Sequence, residues 1–440
     1  MYLMEEHSVK TSVVRKRNDC RLCGSLKLEL ALPMRPSPIG DAYVTPQELS
    51  IVQESYPLSL YLCHDCGHLQ LPHVINPEIL FGNYIYRTST SPGLVEHFKK
   101  YACAVIEKIG CKRESLVLEI GSNDGSLLQA FKKEGMKVIG VDPAREIALQ
   151  ATREGIETIP AFFTLDIARQ IKKQYGLTSL IAANNVFAHA DNMNEIAEGI
   201  HYLLDADGVF VFEVSYLLDM IEKNVFDTIY HEHLCHHRIE PLEIFFNKHG
   251  MNIFDVERIA TKGGSIRVFV KQLDSKRAVS PYVKELIELE RKVGLDQVAV
   301  YQKFSHHLEE IKIRLHAVLD DLRAHGKSIA GYGASTPMTT TMYQFELCPY
   351  LDFIADDNAI KQGRFSPGDH IPVLPSAKIY EKKPDCIVIL AWQYADLIMQ
   401  KHHAFLDGGG CFVTPLPEVK VYTHIIFQKQ DREHTLAIAE

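Results

Sequence analysis

The chain has 440 residues, of which 46% are hydrophobic and 23% are charged, and its formal net charge is -9 at neutral pH. This length exceeds what one hydrophobic core usually serves, so we expect two or three domains. The negative charge argues against a nucleic-acid-binding protein, and no stretch approaches the roughly 18 apolar residues of a membrane span. The charged N-terminus lacks an apolar secretory segment, which favours a cytoplasmic location.

Four of the ten cysteines form two closely spaced pairs near the N-terminus, each followed directly by a glycine. A Cys-x-x-Cys turn places two thiolates on one side of a metal, and two such turns complete a tetrahedral zinc site. The proline-rich segment between them is typical of a small module that metal stabilises. Four free thiols are the plain alternative, and a redox pair needs a βαβ context that is missing. The pattern predicts structural Zn²⁺ on Cys20, Cys23, Cys63 and Cys66.

The next segment, ESLVLEIGSNDGSLLQAFKKEGMKVIGVD, predicts a strand, a glycine-rich turn, a helix from Gly125 onward and a second strand that ends in Asp142. This is the nucleotide-binding half of a doubly wound fold. The glycines allow close approach of the backbone to a ligand, and the acidic residue can hold both ribose hydroxyls. The turn lacks the G-x-G-x-x-G spacing of dinucleotide sites. It suits a ligand with a ribose and an amino-acid tail, which is S-adenosylmethionine.

The remaining chain continues the alternation of strands and helices. LIAANNVFAHA and GVFVFEVSY predict further strands, IRVFVKQL an antiparallel partner, and residues 282–326 a pair of helices with apolar residues at helical spacing. A second α/β alternation begins at SIAGYGASTPMTT. We therefore predict an α/β protein with a zinc-binding module (1–78), a central Rossmann-like methyltransferase domain (79–280), a helical connector (281–325) and a C-terminal Rossmann-like domain (326–440).

The segment YHEHLCHH at residues 230–237 crowds four histidines together. A metalloprotease site needs H-E-x-x-H, but a cysteine occupies the final position. A zinc or iron site that uses His233 with His236 or His237 on a helical segment is one alternative, with a carboxylate from elsewhere. An extended chain separates Tyr230 from His233, whereas a helical turn brings them together at i and i+3, and the sequence leaves both geometries open. Hydrogen bonding inside the core is expected for His231, His236 and His237.

Taken in order, these segments resemble the S-adenosylmethionine-dependent sugar C-methyltransferases of deoxysugar biosynthesis. The resemblance covers nearly the whole chain and rests on the two cysteine pairs and on NYIYRTSTSPGLVEHF, VLEIGSNDGSLL, NNVFAHADN, DTIYHEHLCHH, KGGSIRVFV, GYGASTPMTT and KQGRFSPGDHIPV. It implies methylation at C3 of a nucleotide-linked 4-keto-6-deoxyhexose through an enolate. It also implies that the C-terminal lobe helps to hold the nucleotide sugar, linked to dTDP, GDP or CDP.

The resemblance also assigns roles to individual residues. The reacting-sugar site would be lined by Tyr84, His189, Tyr230, Glu232 and His233. His233 is the candidate base, because the ordinary pKa of histidine lies near the working pH, and the neighbouring tyrosine and glutamate would place and tune it. The donor would contact Gly121, Ser122, Asn123, Asp124, Gly125, Asp142, Pro143, Asn184 and Asn185. The substrate would contact Lys262, Gly263, Gly264, Arg267, Tyr332, Ser335 and Thr336.

Each assignment has a structural alternative. His189 is also consistent with a helix-capping or surface histidine, and Tyr84 with a packing aromatic. GYGASTPMTT can bind phosphate at a helix N-terminus or form a plain turn, and KGGSIR can face a diphosphate or form a surface hairpin. At the level of function, the alternatives are O- or N-methylation of a similar sugar and a non-enzymatic zinc-bearing adaptor that binds a nucleotide. We expect a monomer.

Overall fold

The computed structural model describes residues 13–81, 87–90 and 92–424. Within these residues the chain forms four β-sheets, of two, four, seven and six strands. Helices accompany the two larger sheets, which confirms the predicted α/β class with Rossmann-like sheets. No helix in the described part of the chain is both long and apolar enough to cross a bilayer.

The N-terminal module consists of short strands around the two cysteine turns. Strands β2, β3 and β4 form an antiparallel sheet, and β1 pairs with β5. Alternate leucines of β3 are fully buried, which fixes the face that packs inward. The elements are β1 (Val14–Lys16), β2 (Leu28–Leu32), β3 (Leu60–Cys63), β4 (Leu69–Gln70), β5 (His73–Ile75) and α1 (Pro77–Phe81).

The central sheet has the strand order β12-β13-β10-β9-β6-β7-β8. Strands β6 to β10 run parallel, and their apolar runs are buried on both faces, as expected beneath two helical layers. The predicted antiparallel partner, IRVFVKQL, lies in β13 and pairs with β10. The strands are β6 (Leu116–Ile120), β7 (Lys137–Val141), β8 (Thr158–Ile159), β9 (Thr178–Asn184), β10 (Leu204–Ser215), β11 (Cys235–His236), β12 (Met251–Ile259) and β13 (Ser265–Gln272). The helices are α2 (Pro92–Ile109), α3 (Ser126–Lys133), α4 (Arg145–Arg153), α5 (Leu165–Tyr175), α6 (Met193–Leu203), α7 (Leu217–Glu222) and α8 (Ile239–Lys248).

Strand β11 follows β10 in the chain, but it belongs to the sheet of the N-terminal module and not to the central sheet. It pairs antiparallel with β4, so the four-stranded sheet has the order β11-β4-β3-β2. The end of the YHEHLCHH segment is therefore the edge strand of the zinc module. The predicted domain limits stay predictions, but this pairing ties two of the predicted domains together directly.

Two helices connect the central sheet to the C-terminal one, where the apolar spacing predicted them. The C-terminal sheet has the order β16-β15-β14-β17-β18-β19, parallel except for β19. The helices are α9 (Pro281–Val293), α10 (Val298–Ala324), α11 (Thr336–Gln344), α12 (Lys378–Lys382), α13 (Ala395–Lys401) and α14 (His403–Asp407). The strands are β14 (Ile329–Tyr332), β15 (Ile354–Asp356), β16 (Val373–Pro375), β17 (Cys386–Ile389), β18 (Cys411–Thr414) and β19 (Lys420–Tyr422).

Helix α11 packs against both other parts of the chain. The Thr340 hydroxyl donates to the carbonyl of Ile229, 2.7 Å away, and the Thr339 hydroxyl donates to the carbonyl of Gly40 at 2.9 Å. Both threonines are buried. The C-terminal lobe therefore contacts the backbone just before the YHEHLCHH segment as well as a loop of the zinc module.

Candidate active site

The four predicted zinc ligands converge in the N-terminal module. The Sγ atoms of Cys20 and Cys66 are 3.6 Å apart, as are those of Cys23 and Cys63, and all four lie within 4.8 Å of one another. Zinc–sulfur bonds of about 2.3 Å in a tetrahedron require sulfur atoms about 3.8 Å apart, so this set fits Zn²⁺. His68, which follows the second cysteine pair, is not part of the cluster.

The glycine-rich turn lies between β6 and α3. Gly121 and Gly125 have φ angles of 70° and 76°, which favour glycine. A Cβ atom on Gly121 would lie 2.3 Å from Val186 Cγ2, so the backbone has no room for a side chain. The carboxylate of Asp124 accepts hydrogen bonds from the Ser126 amide and hydroxyl, which orders the start of α3. The turn is therefore tight, and its backbone closely approaches whatever lies beyond β6.

Asp142 and Asn184 lie at the carboxyl ends of β7 and β9, on either side of this turn. The Asp142 carboxylate accepts the Asn123 amide at 2.8 Å and the Ala144 amide at 2.8 Å, which fixes its orientation. Burial raises its pKa. The Asn184 side chain is 8% exposed, and its amide interacts with the Tyr101 hydroxyl but makes no hydrogen bond of good geometry with the described residues. A ligand with hydroxyl and amino groups would satisfy such an amide, so the site fits S-adenosylmethionine.

The remaining predicted donor residues lie around the same turn. Ser122 is buried within the glycine-rich turn, and Pro143 comes shortly after β7. Asn185 directly follows β9 and has a φ angle of 55°. The Asn185 amide donates to the carbonyl of Glu213 at 2.7 Å, which fixes the chain before His189. The structure therefore brings all nine predicted donor residues to one edge of the central sheet.

Residues 230–233 form a turn, which decides between the two geometries left open by the sequence. The His233 amide donates to the carbonyl of Tyr230 at 2.9 Å, and the Tyr230 hydroxyl lies 2.9 Å from His233 Nε2. His233 Nδ1 lies 2.6 Å from the carbonyl of Thr228. A carbonyl only accepts, so Nδ1 carries the proton, and in a neutral ring Nε2 accepts from the tyrosine.

Burial moves the pKa values of the two titratable groups in this turn in opposite directions. It lowers the pKa of His233 to about 3, with Lys262 adding to the effect, although the Thr228 carbonyl opposes it. It raises the pKa of Glu232 to about 7, to which Asp41 contributes. Because desolvation disfavours the charged form of each group, both side chains tend toward neutrality.

His189 and Lys262 complete the cluster. The rings of His189 and His233 have centroids 5.0 Å apart, and burial lowers the pKa of His189 well below its usual value. Lys262 has a φ angle of 53° in the turn before β13, and its charge acts on His189, Glu232 and His233. Desolvation of its ammonium group lowers the pKa of Lys262, whereas Glu213 and Glu232 oppose that shift, and the residue as a whole is exposed. The charge of Lys262 therefore acts on both histidines from an exposed residue. Tyr84 lies outside the described residues.

Two predicted substrate residues have side chains that are already engaged elsewhere. The Arg267 guanidinium pairs with Glu213 and Glu257, each at 3.1 Å, within the central sheet. The Tyr332 hydroxyl donates to Asp357 at 2.8 Å and lies 3.0 Å from His402 Nε2, in the core of the C-terminal lobe. A substrate contact by either residue therefore competes with existing partners.

The other predicted substrate residues lie in turns. Gly263 and Gly264 precede β13, and a Cβ on Gly263 would lie 3.4 Å from Gln393 of the C-terminal lobe. Ser335 is the residue before α11, and Thr336 is its first residue. These turns lie at the carboxyl ends of strands or next to the C-terminal lobe, where ligands of open α/β sheets bind.

Sequence reasoning missed two charged residues near Glu232. Asp41, from the zinc module, accepts a hydrogen bond from Lys361 Nζ at 2.7 Å, and Lys361 also donates to the carbonyl of Ala334 at 2.7 Å. Both charges act on Glu232. Lys361 lies in KQGRFSPGDHIPV, one of the motifs of the resemblance, but nothing in the local pattern distinguishes it from a surface lysine.

A second missed pair joins the central and C-terminal parts of the chain. Trp392 Nε1 donates to Asp227 Oδ2 at 2.8 Å. Burial raises the pKa of Asp227 to about 7. Asp227 directly precedes the residue whose carbonyl orients His233, so this contact anchors the same turn.

Three family models match consecutive segments of the chain. One described as "Putative zinc binding domain" matches residues 20–81, one described as "Methyltransferase domain" matches residues 94–256, and one described as "C-methyltransferase C-terminal domain" matches residues 260–417. Among curated proteins, the chain is 34% identical to the C-methyltransferase NovU of Streptomyces niveus over 410 residues. That alignment covers 93% of this chain and 98% of the relative.

Solved structures are similar over a smaller part. The PH0226 protein from Pyrococcus horikoshii OT3 is 13% identical, with a TM-score of 0.35 over 44% of this chain and 98% of that one. Magnesium protoporphyrin IX methyltransferase from Synechocystis PCC 6803, solved with bound SAH, is 15% identical, with a TM-score of 0.32 over 44% of this chain and 92% of that one.

Proposed function

Because the chain belongs to the family of S-adenosylmethionine-dependent C-methyltransferases, we propose that it methylates C3 of a nucleotide-linked 4-keto-6-deoxyhexose. Membership of this family establishes that the methyl donor is S-adenosylmethionine, that the methyl group is transferred to carbon, and that the N-terminal domain binds zinc. The proposal adds the substrate, the position of methylation and the role in branched deoxysugar biosynthesis.

The hydrogen-bonded pair of Tyr230 and His233 is the observation that carries the proposal. A sugar carbon becomes nucleophilic only beside a carbonyl group, so transfer to carbon requires a base that removes a carbon-bound proton. His233 presents an unprotonated Nε2 to the Tyr230 hydroxyl, while Nδ1 is fixed by a backbone carbonyl. The pair can accept the C3 proton either at the imidazole or at the tyrosine oxygen, with the phenolic proton passing to Nε2.

The depressed pKa of His233 sets a condition on this role. A pKa of about 3 keeps the imidazole neutral across the working range but makes it a weaker base than an ordinary histidine, so it accepts the C3 proton only where a nearby negative charge favours its protonated form. The enolate that forms beside it is negative, so protonation of the ring creates an opposite charge at short range, which favours the proton transfer. Glu232, with a pKa of about 7, is ionised above that pH and stabilises the imidazolium further.

Lys262 and His189 are proposed to stabilise the enolate oxygen. Preorganised donors aimed at developing charge lower the barrier most effectively in a site with little water. The Lys262 ammonium supplies positive charge beside the cluster, and the neutral His189 ring can donate a hydrogen bond. Tyr84 remains a proposed member of this site.

The glycine-rich turn and the ends of β7 and β9 are proposed to hold the donor. When bound, S-adenosylmethionine supplies an electrophilic methyl group whose bond to sulfur breaks as the substrate carbon attacks, leaving S-adenosylhomocysteine. Asp142, whose carboxylate is oriented by the Asn123 and Ala144 amides, would accept from the ribose hydroxyls, and the buried Asn184 amide would supply both a donor and an acceptor.

The start of helix α11 is proposed to bind the diphosphate of the nucleotide sugar. Backbone amides at a helix N-terminus favour anions, and Ser335 and Thr336 add hydroxyl donors. Gly333 has a φ angle of 102°, and a Cβ there would lie 2.4 Å from that of Ala391, so the turn before α11 packs closely on the turn after β17. Lys262 lies on the facing lobe. The nucleobase, whether of dTDP, GDP or CDP, would then lie against the C-terminal sheet.

A panel of nucleotide-linked 4-keto sugars, incubated with labelled donor, tests the proposal. Mass spectrometry and NMR should locate the methyl group on C3. In deuterium oxide without donor, the enzyme should exchange the C3 proton of its substrate. A methyl group on oxygen or nitrogen, or turnover of a sugar that lacks the 4-keto group, would refute the enolate mechanism.

A further inference from the structure

Arg21 is a charged residue buried between two zinc ligands. It lies within the first cysteine turn, and its side chain is 0% exposed. The backbone amide donates to Gln70 Oε1 at 2.9 Å, and the Gln70 amide in turn donates to the carbonyl of Asp19 at 3.0 Å. The cysteine turn and β4 thus hold the start of the Arg21 side chain in place.

The guanidinium of Arg21 reaches both loops that carry the catalytic histidines. Its Nε donates to Asp191 Oδ1 at 3.0 Å, two residues after His189. Its Nη1 lies 3.5 Å from the carbonyl of Leu234, the residue after His233. A backbone bond of 3.0 Å from the Cys235 amide to the Ala188 carbonyl closes the same junction. Arg21 therefore connects three segments: the first cysteine turn, in which it lies, the loop after β9, and the chain that follows the turn at residues 230–233.

A purely stabilising role does not account for this arrangement. Burying an ion pair costs desolvation that the attraction often fails to repay, and apolar residues of similar volume stabilise a fold as well or better. Arg21 Nη2 is buried without a hydrogen-bond partner in the part of the chain that the structure describes, which adds to the cost. The planar guanidinium of Arg21 can instead fix the position of the Asp191 carboxylate relative to the Leu234 carbonyl.

We infer that Arg21 is a positioning residue, which transmits the geometry of the zinc turn to the spacing of His189 and His233. The inference rests on the proposed function only for the role of the two histidines. Zinc would then act on catalysis through Arg21 and strand β11, although it touches no reacting atom.

The test compares the same substitution at two arginines that share one acceptor. Arg21→Lys keeps a positive charge but loses the fork. Arg17→Lys is the matched control, because Arg17 also pairs with Asp191, at 3.3 Å, and makes no contact with Leu234 among its described bonds. Zinc content, donor affinity, kcat and KM are measured for both full-length variants with zinc bound.

Arg21→Lys is expected to retain one zinc per chain and normal donor affinity, while kcat falls about 10- to 100-fold with KM unchanged, the scale of a small misplacement of catalytic groups. The ¹³C resonances of the His189 and His233 rings, assigned by their loss in single His→Asn variants, should shift in Arg21→Lys and stay in place in Arg17→Lys. This readout needs no substrate, so it distinguishes failure of the inference from failure of the proposed function.

Unchanged resonances together with unchanged kcat in Arg21→Lys would overturn the inference, as would equal effects of the two arginine variants. If Arg21→Lys fails to retain zinc, Asp191→Asn provides the second arm, because it weakens the same bond from outside the zinc module. Asp191→Asn should then shift both ring resonances with zinc retained, and the absence of any shift there would also overturn the inference.

Discussion

Replacement of His233 by asparagine tests the base directly. The asparagine amide can still donate to the Thr228 carbonyl, which His233 Nδ1 reaches at 2.6 Å, but nothing replaces Nε2, 2.9 Å from the Tyr230 hydroxyl. General-base catalysis contributes roughly 10²- to 10⁴-fold. We therefore expect kcat to fall by about 10²-fold or more, equivalent to a barrier increase of about 2.7 kcal/mol. Donor affinity should remain near normal, because the residues proposed to bind the donor lie at the ends of β6, β7 and β9.

The assay combines calorimetric titration of the donor, steady-state turnover and the rate of C3 deuterium exchange in the absence of donor. His231→Asn is the matched control: that ring lies in the same motif and is 1% exposed, but its Nε2 is 3.2 Å from the Tyr56 carbonyl and away from the tyrosine pair. Exchange and turnover should fall together in His233→Asn alone. Retention of both would refute the assignment of the base to His233 and shift it to Tyr230.

Three further predictions concern the carboxylate, the donor turn and the metal. Turnover should rise as the pH increases through about 7, because Glu232, whose pKa is about 7, gains the charge that stabilises the imidazolium; Glu232→Gln should abolish this inflection in the pH–rate profile. Gly121→Ala should weaken donor binding and lower the melting temperature more than Gly110→Ala, since both have positive φ but a Cβ only at Gly121 would collide, 2.3 Å from Val186 Cγ2; calorimetry and thermal melts compare the two. Cys63→Ser should reduce zinc content below one per chain and speed amide hydrogen exchange in β11, as metal analysis and mass spectrometry would show.

The features that were predictable from sequence depend on short stretches of chain. A Cys-x-x-Cys turn and a strand–glycine–helix unit are encoded within about ten to thirty residues, and the sequence alone sufficed for the cysteine cluster, the donor turn and the α/β class. The turn at residues 230–233 was one of two open geometries. Local propensity could not choose between them, because the local bonds of the turn, to Thr228 and Tyr230, are supplemented by contacts from residues far along the chain.

Contacts between residues that are distant in the chain explain why the surroundings of the turn at residues 230–233 could not be predicted from the sequence. Thr340, more than a hundred positions away, donates to the carbonyl of Ile229, and Lys361 and Asp41 act on Glu232 from opposite ends of the chain. Threonine, lysine and aspartate are all common on protein surfaces, so no local sequence pattern marks these three residues as contacts of the turn. Tyr332 illustrates the converse: it lies within a motif that suggested a ligand site, and its hydroxyl is engaged by Asp357.

Burial of the turn at residues 230–233 has a consequence for the proposed proton transfer. The same desolvation raises the pKa of Glu232 to about 7 and lowers that of His233 to about 3, so at acidic to neutral pH both groups tend toward their neutral forms, and the positive charge of Lys262 adds to the shift of His233. A lone imidazolium there would face that cation without compensation, and its formation is unfavourable until a negative charge appears nearby. The proposed enolate supplies this charge at the moment when the proton moves. The proposed site therefore favours proton removal coupled to a bound keto sugar over protonation from solvent.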